Sequence, residues 1–391
     1  MVKLIRYLAL GICLSLFLNV QGQANFAAID RHARKAPANI HRNLPALTTF
    51  LTEPAQNNLE KVRAIYVWMT HHISYDEEAY NNGTRRINQN IADILRRKKA
   101  VCFGYATLFQ AMCAKAGLEA EIISGYSKGT LTAQPNLKEA DHAWNAVWID
   151  DQWYLLDATW GSSLIDKNNA FVEHKSDTYF LTQPQTFILA HLPNLPMWQL
   201  LDCPVSPQLF EQSPDSIRRY LSASEPCYSY ADSIRYFTAL EVPERRLWEM
   251  KSTYKFNPTS ANRENLGHSL IDYASAQSDQ AEVLQNQPEL ADSLVYIQAR
   301  IIALCEHAFS LMKPYDWQKE LYIGSLLNQA VSLYQQTDQA ETPLRLYQQA
   351  LEHLATGKLF LDQIQKDNYF VNYARQQCNH IREAIQEAMK R

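Results

Sequence analysis

Residues 143–158, AWNAVWIDDQWYLLDA, constrain the fold of this chain more than any other stretch. Two short runs rich in aromatic and branched residues flank Asp150-Asp151. This pattern predicts two antiparallel strands, 143–149 and 152–158, joined at the Asp-Asp turn. A third strand is expected over 118–126 (LEAEIISGY). The pattern before these strands is helical. In 59–69 (LEKVRAIYVWM), Val62, Ile65, Tyr66 and Met69 fall on one stripe at helical spacing. Ile91, Ile94 and Leu95 indicate a short helix ended by the basic run 96–99, read as a solvated helix end. A further helix is expected from about 105 to 116, with Leu108, Met112 and Ala116 inward and Gly117 as its stop. Residues 181–207, rich in proline and aromatics, are expected to be ordered but non-regular.

After about residue 206 the pattern is helical throughout. Ile364, Val371, Cys378 and Ile385 mark one face of the last helix, and Thr342-Pro343 suits the start of the helix before it. No clean repeat period emerges, so an accessory bundle is preferred to a repeat array. A chain of 391 residues is long for one domain. The expectation is an α+β domain over 24–205, a helix packed on an antiparallel sheet, followed by an all-helical domain over 206–391.

Lys3 and Arg6 precede an apolar run over 8–20, and Gln21-Gly22-Gln23 follow. This order describes a secretory signal peptide over 1–22, with Val20 and Gly22 at the small-residue positions of a cut after Gly22. The run is short for a transmembrane helix. Ile12 before Cys13 suits lipoprotein cleavage poorly. No later stretch reads as a membrane span, so the mature protein is expected to be exported to periplasm, cell surface or medium and not to be an integral membrane protein.

Composition narrows the chemistry. A net charge of -4 argues against nucleic acid as a partner. With 11 glycines and no GxGxxG or GxxxxGK[ST] run, a phosphate-binding loop is not expected. Of seven cysteines, six follow the signal, and no CxxC occurs, which removes the usual zinc-knuckle and thioredoxin-like readings. Cys203 with Cys227 and Cys305 with Cys378 are conceivable disulfides that spacing cannot assign.

Three residues can carry catalysis. Cys102, in VCFGYA, stands at a helix start, where partial positive charge stabilises a thiolate. A nucleophilic thiol needs a base, and the base needs a partner that orients it. With a two- or four-residue loop at Asp150-Asp151, antiparallel pairing sets His142 opposite Thr159 and Trp144 opposite Asp157. His142 and Asp157 then lie as diagonal neighbours on one face. Taken singly, His142 also reads as a strand histidine and Asp157 as a turn cap.

The motifs VCFGYA (101–106), HAWN (142–145) and LDATWG (156–161) together resemble the transglutaminase-like superfamily. The chain is similar to the kyphoscoliosis-peptidase-type branch common in bacteria over about residues 60–200, with Tyr66-Val67-Trp68 and Ile73-Ser74-Tyr75-Asp76 also matching. The resemblance implies a papain-like cysteine-protease fold, with Cys102 as nucleophile, His142 as general base and acid, Asp157 as orienter, no metal and no organic cofactor. It implies acyl transfer through a thioester, with protein or cell-wall peptides as substrates. The backbone N–H of Cys102 and the indole of Trp68 are candidate oxyanion donors. Tyr105, Tyr126 and Trp144 are candidate cleft residues. Hydrolysis is preferred to cross-linking because no calcium-loop pattern occurs. The competing readings are a cross-linking acyltransferase, a silent peptide-binding module, and a scaffold whose helical C-terminal domain binds a protein partner. His71, His72, His174 and His191 show no ligand spacing.

Overall fold

The structure is a computed structural model that describes residues 25–82, 89–129, 134–165, 171–284, 290–337, 340, 343–365 and 368–390. The expected signal segment and Thr342 lie outside the described residues. The chain divides into two compact units, the first ending at Tyr230 and the second spanning Ala231–Arg391. The first unit thus runs some way past the boundary expected near 205. The helices Pro207–Phe210 and Pro214–Ala223 belong to it. Lys128 anchors this extension, donating to the Gln212 carbonyl at 2.8 Å and standing over the Phe210 ring.

The first unit opens with helices Ala27–Arg34, Leu44–Thr52 and Asn58–His72. The Asn57 side chain accepts the Glu60 N–H at the start of the third, one of the donors that no helix can satisfy internally. The stripe expected on this helix understates its burial. Every residue from 62 to 70 is buried, so the helix is the spine of the unit rather than a surface helix. Arg63 is tolerated there because Asp30 and Asp177 both grip its guanidinium, with bonds of 2.7 Å to each. Two-residue strands β1 (Ser74–Tyr75) and β2 (Lys99–Ala100) pair in parallel beyond it. They bracket the short helices Glu77–Asn81 and Ile91–Arg97. Arg97 of the basic run is not merely solvated, because it pairs with buried Asp76.

The helix predicted from about 105 begins earlier, at Cys102, and runs to Lys115. Gly117 ends it with φ +72°, a conformation that side chains rarely adopt. The chain then forms β3 (Ala120–Ser127), β4 (His142–Ile149) and β5 (Gln152–Leu156). With a late strand, β8 (His191–Pro193), they make one antiparallel sheet in the order β5-β4-β3-β8. Asp150 and Asp151 both adopt positive φ, 47° and 64°, which gives the two-residue turn that suits strand twist. The register follows: Asn145 faces Leu156 and Ile149 faces Gln152. The Cys102–Lys115 helix packs on this sheet. Asn145 Nδ2 donates to the Ala106 carbonyl at 3.0 Å, and Gln110 Nε2 donates to the Ala120 carbonyl at 2.8 Å. The expected helix-on-antiparallel-sheet architecture is present.

After β5 the chain turns into the helix Ala158–Ser162, then a hairpin of β6 (Ser163–Ile165) and β7 (Phe171–Glu173). The region expected to be non-regular contains the helix Pro184–Phe187 and β8 (His191–Pro193), whose His191 pairs with Ser127. Cys203 and Cys227 form a disulfide.

The second unit is helical, as expected. Its long helices are Val242–Phe256, Ser260–Leu284, Ala291–Leu311, Asp316–Gln336, Pro343–Leu361 and Tyr369–Ala388. Val371, Cys378 and Ile385 form the buried face of the last one, whereas Ile364 is buried but precedes it. Cys305 and Cys378 are free and buried, so the second conceivable disulfide is not formed. The segment Asp292–Leu311 is long and apolar enough to cross a membrane by length and composition, contrary to the sequence expectation. Its Ile297, Ile301, Ile302, Cys305 and Ala308 nevertheless build a helical core with Leu270, Ile271 and Leu326.

Candidate active site

The three expected residues converge. Cys102 is the first residue of its helix and is partly exposed, while the helix behind it is largely core. His142 opens β4, and its Nε2 donates to Asp157 Oδ2 at 2.7 Å. Cys102 stands close enough to His142 to help raise its affinity for a proton. With Nε2 committed to the carboxylate, Nδ1 is the ring nitrogen left for the thiol. The result is one continuous line from thiol to imidazole to carboxylate.

Asp157 does two things at once. Its Oδ1 caps the helix Ala158–Ser162, accepting from the N–H of Thr159 at 2.8 Å and of Trp160 at 3.1 Å. Its Oδ2 takes the histidine. The helix cap and the histidine's partner, alternatives in the sequence, are therefore a single arrangement in which the cap holds the carboxylate still. The β4–β5 ladder stops at Asn145–Leu156, and Asp157 follows in extended backbone before the helix starts. Extending the register by one pair opposes it to Trp144, as the turn length predicted.

A fourth residue joins them. His191 of β8 is fully buried, and its Nε2 lies 3.0 Å from the same Asp157 Oδ2. Phe187 stacks on its ring at 4.2 Å, and Trp160 lies at 4.4 Å. Sequence reading missed this role. His191 sits on a three-residue strand amid prolines, where no periodicity can develop, and its partner is far along the chain.

Electrostatics separate the two histidines. Burial works to lower His142, yet Asp157 and then Cys102 outweigh it and hold the ring well above its ordinary value. For His191 burial prevails and pushes it down to about 4, with His142 adding to the effect against Asp157. Burial also works against ionised Asp157, but the two histidines and their hydrogen bonds hold it well below the usual carboxylate range. An ionised carboxylate only accepts, so both histidine nitrogens facing Oδ2 carry protons. His142, Asp157 and His191 place their ligand atoms within 4.8 Å of one another, a spacing that a metal ion can bridge. Metal binding there would have to displace both of those protons, and the cluster as built is a hydrogen-bonded relay.

The remaining candidates lie elsewhere. Trp68 is fully buried, stacked on His72 and edge-on to His41, and its indole N–H has no hydrogen-bond partner among the described residues. Tyr105, Tyr126 and Trp144 are each no more than 1% exposed, so they are core residues rather than an open cleft wall. Tyr105 donates to the Ile73 carbonyl at 2.6 Å, and Trp144 packs behind the histidines, 5.8 Å from His142 and 5.0 Å from His191. The exposed apolar group next to the thiol is Phe103, 48% exposed.

Residues 45–158 match the family described as the Transglutaminase-like superfamily. Kyphoscoliosis peptidase of Mus musculus is 42% identical over 191 residues, 48% of this chain and 28% of that protein. Its Homo sapiens counterpart is 41% identical over 191 residues, with the same coverage of 48% and 28%. The Lim and transglutaminase domain protein ltd-1 of Caenorhabditis elegans is 30% identical over 207 residues, 48% of this chain and 28% of that protein. The chain thus spans 28% of the length of each of these relatives. The match to a solved structure titled as that of a TGase covers 44% of this chain and 42% of that one at 20% identity, with a TM-score of 0.27.

Proposed function

From the premise that residues 45–158 belong to the transglutaminase-like superfamily, we propose that this chain is a cysteine peptidase or amidase acting on protein or cell-wall peptides. The observation that carries the proposal is the convergence of Cys102, His142 and Asp157, with His142 Nε2 on the Asp157 carboxylate and Cys102 beside the same ring. The name peptidase borne by the mouse and human relatives points the same way.

In this mechanism the Cys102 thiol gives its proton to His142 Nδ1, and its sulfur attacks the substrate's amide carbonyl carbon. A carbon–sulfur bond forms as the carbonyl π pair moves to oxygen. The pair returns, the carbon–nitrogen bond breaks, and His142 passes its proton to the leaving amine. Water, deprotonated by His142, then attacks the thioester; the acid leaves and the thiol is restored. Asp157 stays ionised throughout and stabilises the imidazolium. His191 acts only through Asp157, as a second donor that steadies Oδ2. An amine in place of water would make the same site a cross-linker, so the acyl acceptor is the point at which the two chemistries part.

Export is part of the proposal. It is supported by the basic and apolar segment over residues 1–22 and by the Cys203–Cys227 pairing, since disulfides persist in oxidising compartments.

Iodoacetamide labelling near pH 6, resolved by mass spectrometry, tests the site. Cys102 is expected to react well ahead of Cys113, Cys305 and Cys378, and to lose that advantage in His142→Ala. Equal, slow labelling of Cys102 in the folded protein would instead favour a silent peptide-binding module.

A further inference from the structure

Burial leaves few side chains to face a substrate at the Cys102–His142 pair. His142 is only 9% exposed, and Asp157, His191 and Trp144 are buried more deeply still. Among the residues at the site, Cys102, Phe103 and Trp160 keep exposed surface. Phe103 owes its exposure to the helix. Successive helical positions are turned about 100° apart. Gly104, Tyr105 and Ala106 all face inward. The space beside Gly104 is filled by Ala100, Ile94 and Gln89, whose Oε1 accepts the Val101 N–H at 3.1 Å. The position after the nucleophile is left on the solvent side, one step round the helix from the thiol. Its backbone is fixed there, because the Phe103 carbonyl accepts the Thr107 hydroxyl at 2.8 Å.

A scattered exposed ring needs no explanation on its own. This one stands out by number and by place. Among the described residues of the first unit, the other exposed large apolar side chain is Val172, on the β6–β7 hairpin. Phe103 follows the nucleophile directly, and a second aromatic ring lies beside the base: Trp160 stands 5.4 Å from the His142 ring at an interplanar angle of 30°. Charged neighbours in the sequence are committed elsewhere. Asp141 accepts the Ser127 N–H at 2.9 Å, Arg97 donates to Asp76, and Lys98 donates to His41. The thiol and the imidazole are thus each flanked by an uncharged aromatic surface.

We propose that Phe103 is a specificity-determining residue of this site, selecting with Trp160 for acyl donors that carry a large apolar group next to the reacting carbonyl. The inference rests on the thiol chemistry proposed above and narrows its substrate class. Protein segments with a bulky apolar residue at the bond to be cleaved cover the rings. Peptides with small or charged residues there leave them wet. Covering removes apolar surface from water on both partners, and the gain is realised as the acyl group is brought to the sulfur.

The test compares p-nitrophenyl hexanoate with p-nitrophenyl acetate on the purified full chain, with acylation of Cys102 read by mass spectrometry. In each reaction the sulfur–carbon bond forms, the carbon–oxygen bond breaks and p-nitrophenolate leaves, while the thiol proton passes to His142. The leaving group is common to both esters, so its own contacts cancel in the ratio of rates. Free N-acetylcysteine supplies the ratio without a protein surface. The added methylenes, each covered on one side, should raise the hexanoyl-to-acetyl ratio of wild-type Cys102 roughly tenfold above that of the free thiol. Phe103→Ala and Phe103→Gln should cut this preference to about threefold or less, whereas Phe103→Leu, still apolar, should keep most of it. A wild-type ratio equal to that of the free thiol would overturn the role of Phe103 and leave the thiol chemistry standing. So would an undiminished preference in both Phe103→Ala and Phe103→Gln. An equal fall with both esters would do the same, since a purely structural residue does not discriminate acyl length. A folded wild-type protein whose Cys102 is acylated by neither ester would overturn the thiol chemistry and this inference together.

Discussion

His191 donates to the carboxylate of Asp157 at 3.0 Å although 34 positions separate the two residues. The same carboxylate oxygen receives His142 at 2.7 Å. One buried acceptor therefore couples two imidazoles of opposite character. Asp157 raises the proton affinity of His142 beside Cys102, whereas burial keeps His191 neutral behind the carboxylate.

That difference has a pH signature. An unfolded histidine titrates near 6.5, whereas burial pushes His191 down to about 4. Between these values the unfolded chain holds a proton here that the folded chain does not, so stability falls as pH drops from 6.5 to 4. The total is roughly 3 kcal/mol. His191→Gln retains a donor for Asp157 without a titrating ring. Its denaturation midpoint should fall less steeply across this window than that of the wild type. Parallel curves would show that His191 does not carry the effect.

Asp157→Asn should be severe in two ways. It replaces an ionised acceptor of four hydrogen bonds, to His142, His191, Thr159 and Trp160, with a neutral amide. Removing one partner of a buried charge pair costs roughly 3–5 kcal/mol. Urea unfolding at pH 7 should show a loss of that order. Asp157's depressed value gives stability that is present above about pH 4 and fades as pH falls, so the gap between wild type and variant should narrow in acid. A loss that stays constant from pH 7 to pH 3 would contradict it.

Arg63 tests the spine of the unit. Its guanidinium holds Asp30 and Asp177 at 2.7 Å each and lies over the rings of Phe26 and Phe180. Asp30 is mostly buried, so Arg63→Met leaves its carboxylate with the longer, half-exposed Arg34 pair at 3.6 Å, whereas Asp177 is largely exposed and is rehydrated. A loss of about 3 kcal/mol is expected by chemical denaturation. The double change Arg63→Met with Asp30→Leu should recover part of it. No recovery would mean that packing, not the buried charge, sets the cost.

The disulfide closes a loop between Cys203 and Cys227, 24 positions apart. Constraining a loop of that size in the unfolded chain is worth roughly 3 kcal/mol. Cys203→Ser with Cys227→Ser should therefore lower stability by about that amount and leave Cys102 alkylation unchanged. A matching fall in Cys102 reactivity would show that the bridge shapes the site as well as the fold.

Much of the site was legible because it is written locally. An Asp-Asp turn of two residues sets the β4–β5 register, and that register alone makes His142 and Asp157 diagonal neighbours. A helix start at Cys102 and a stop at Gly117 depend on adjacent residues only. The aromatic candidates failed for the opposite reason. Tyr105, Tyr126 and Trp144 have rings that suit a cleft or a core equally, and only the packing around them decides between the two.

Local periodicity and turn chemistry thus determined the hairpin, the Cys102 helix and the order of the triad, because those interactions join residues close in sequence. The tertiary structure decided the rest. It brought His191 from an edge strand to Asp157, laid Gln89 over the start of the Cys102 helix, and buried the expected cleft residues. Those contacts join segments whose own patterns carry no record of each other, since burial and long-range hydrogen bonding are properties of the packed chain rather than of any one stretch of it.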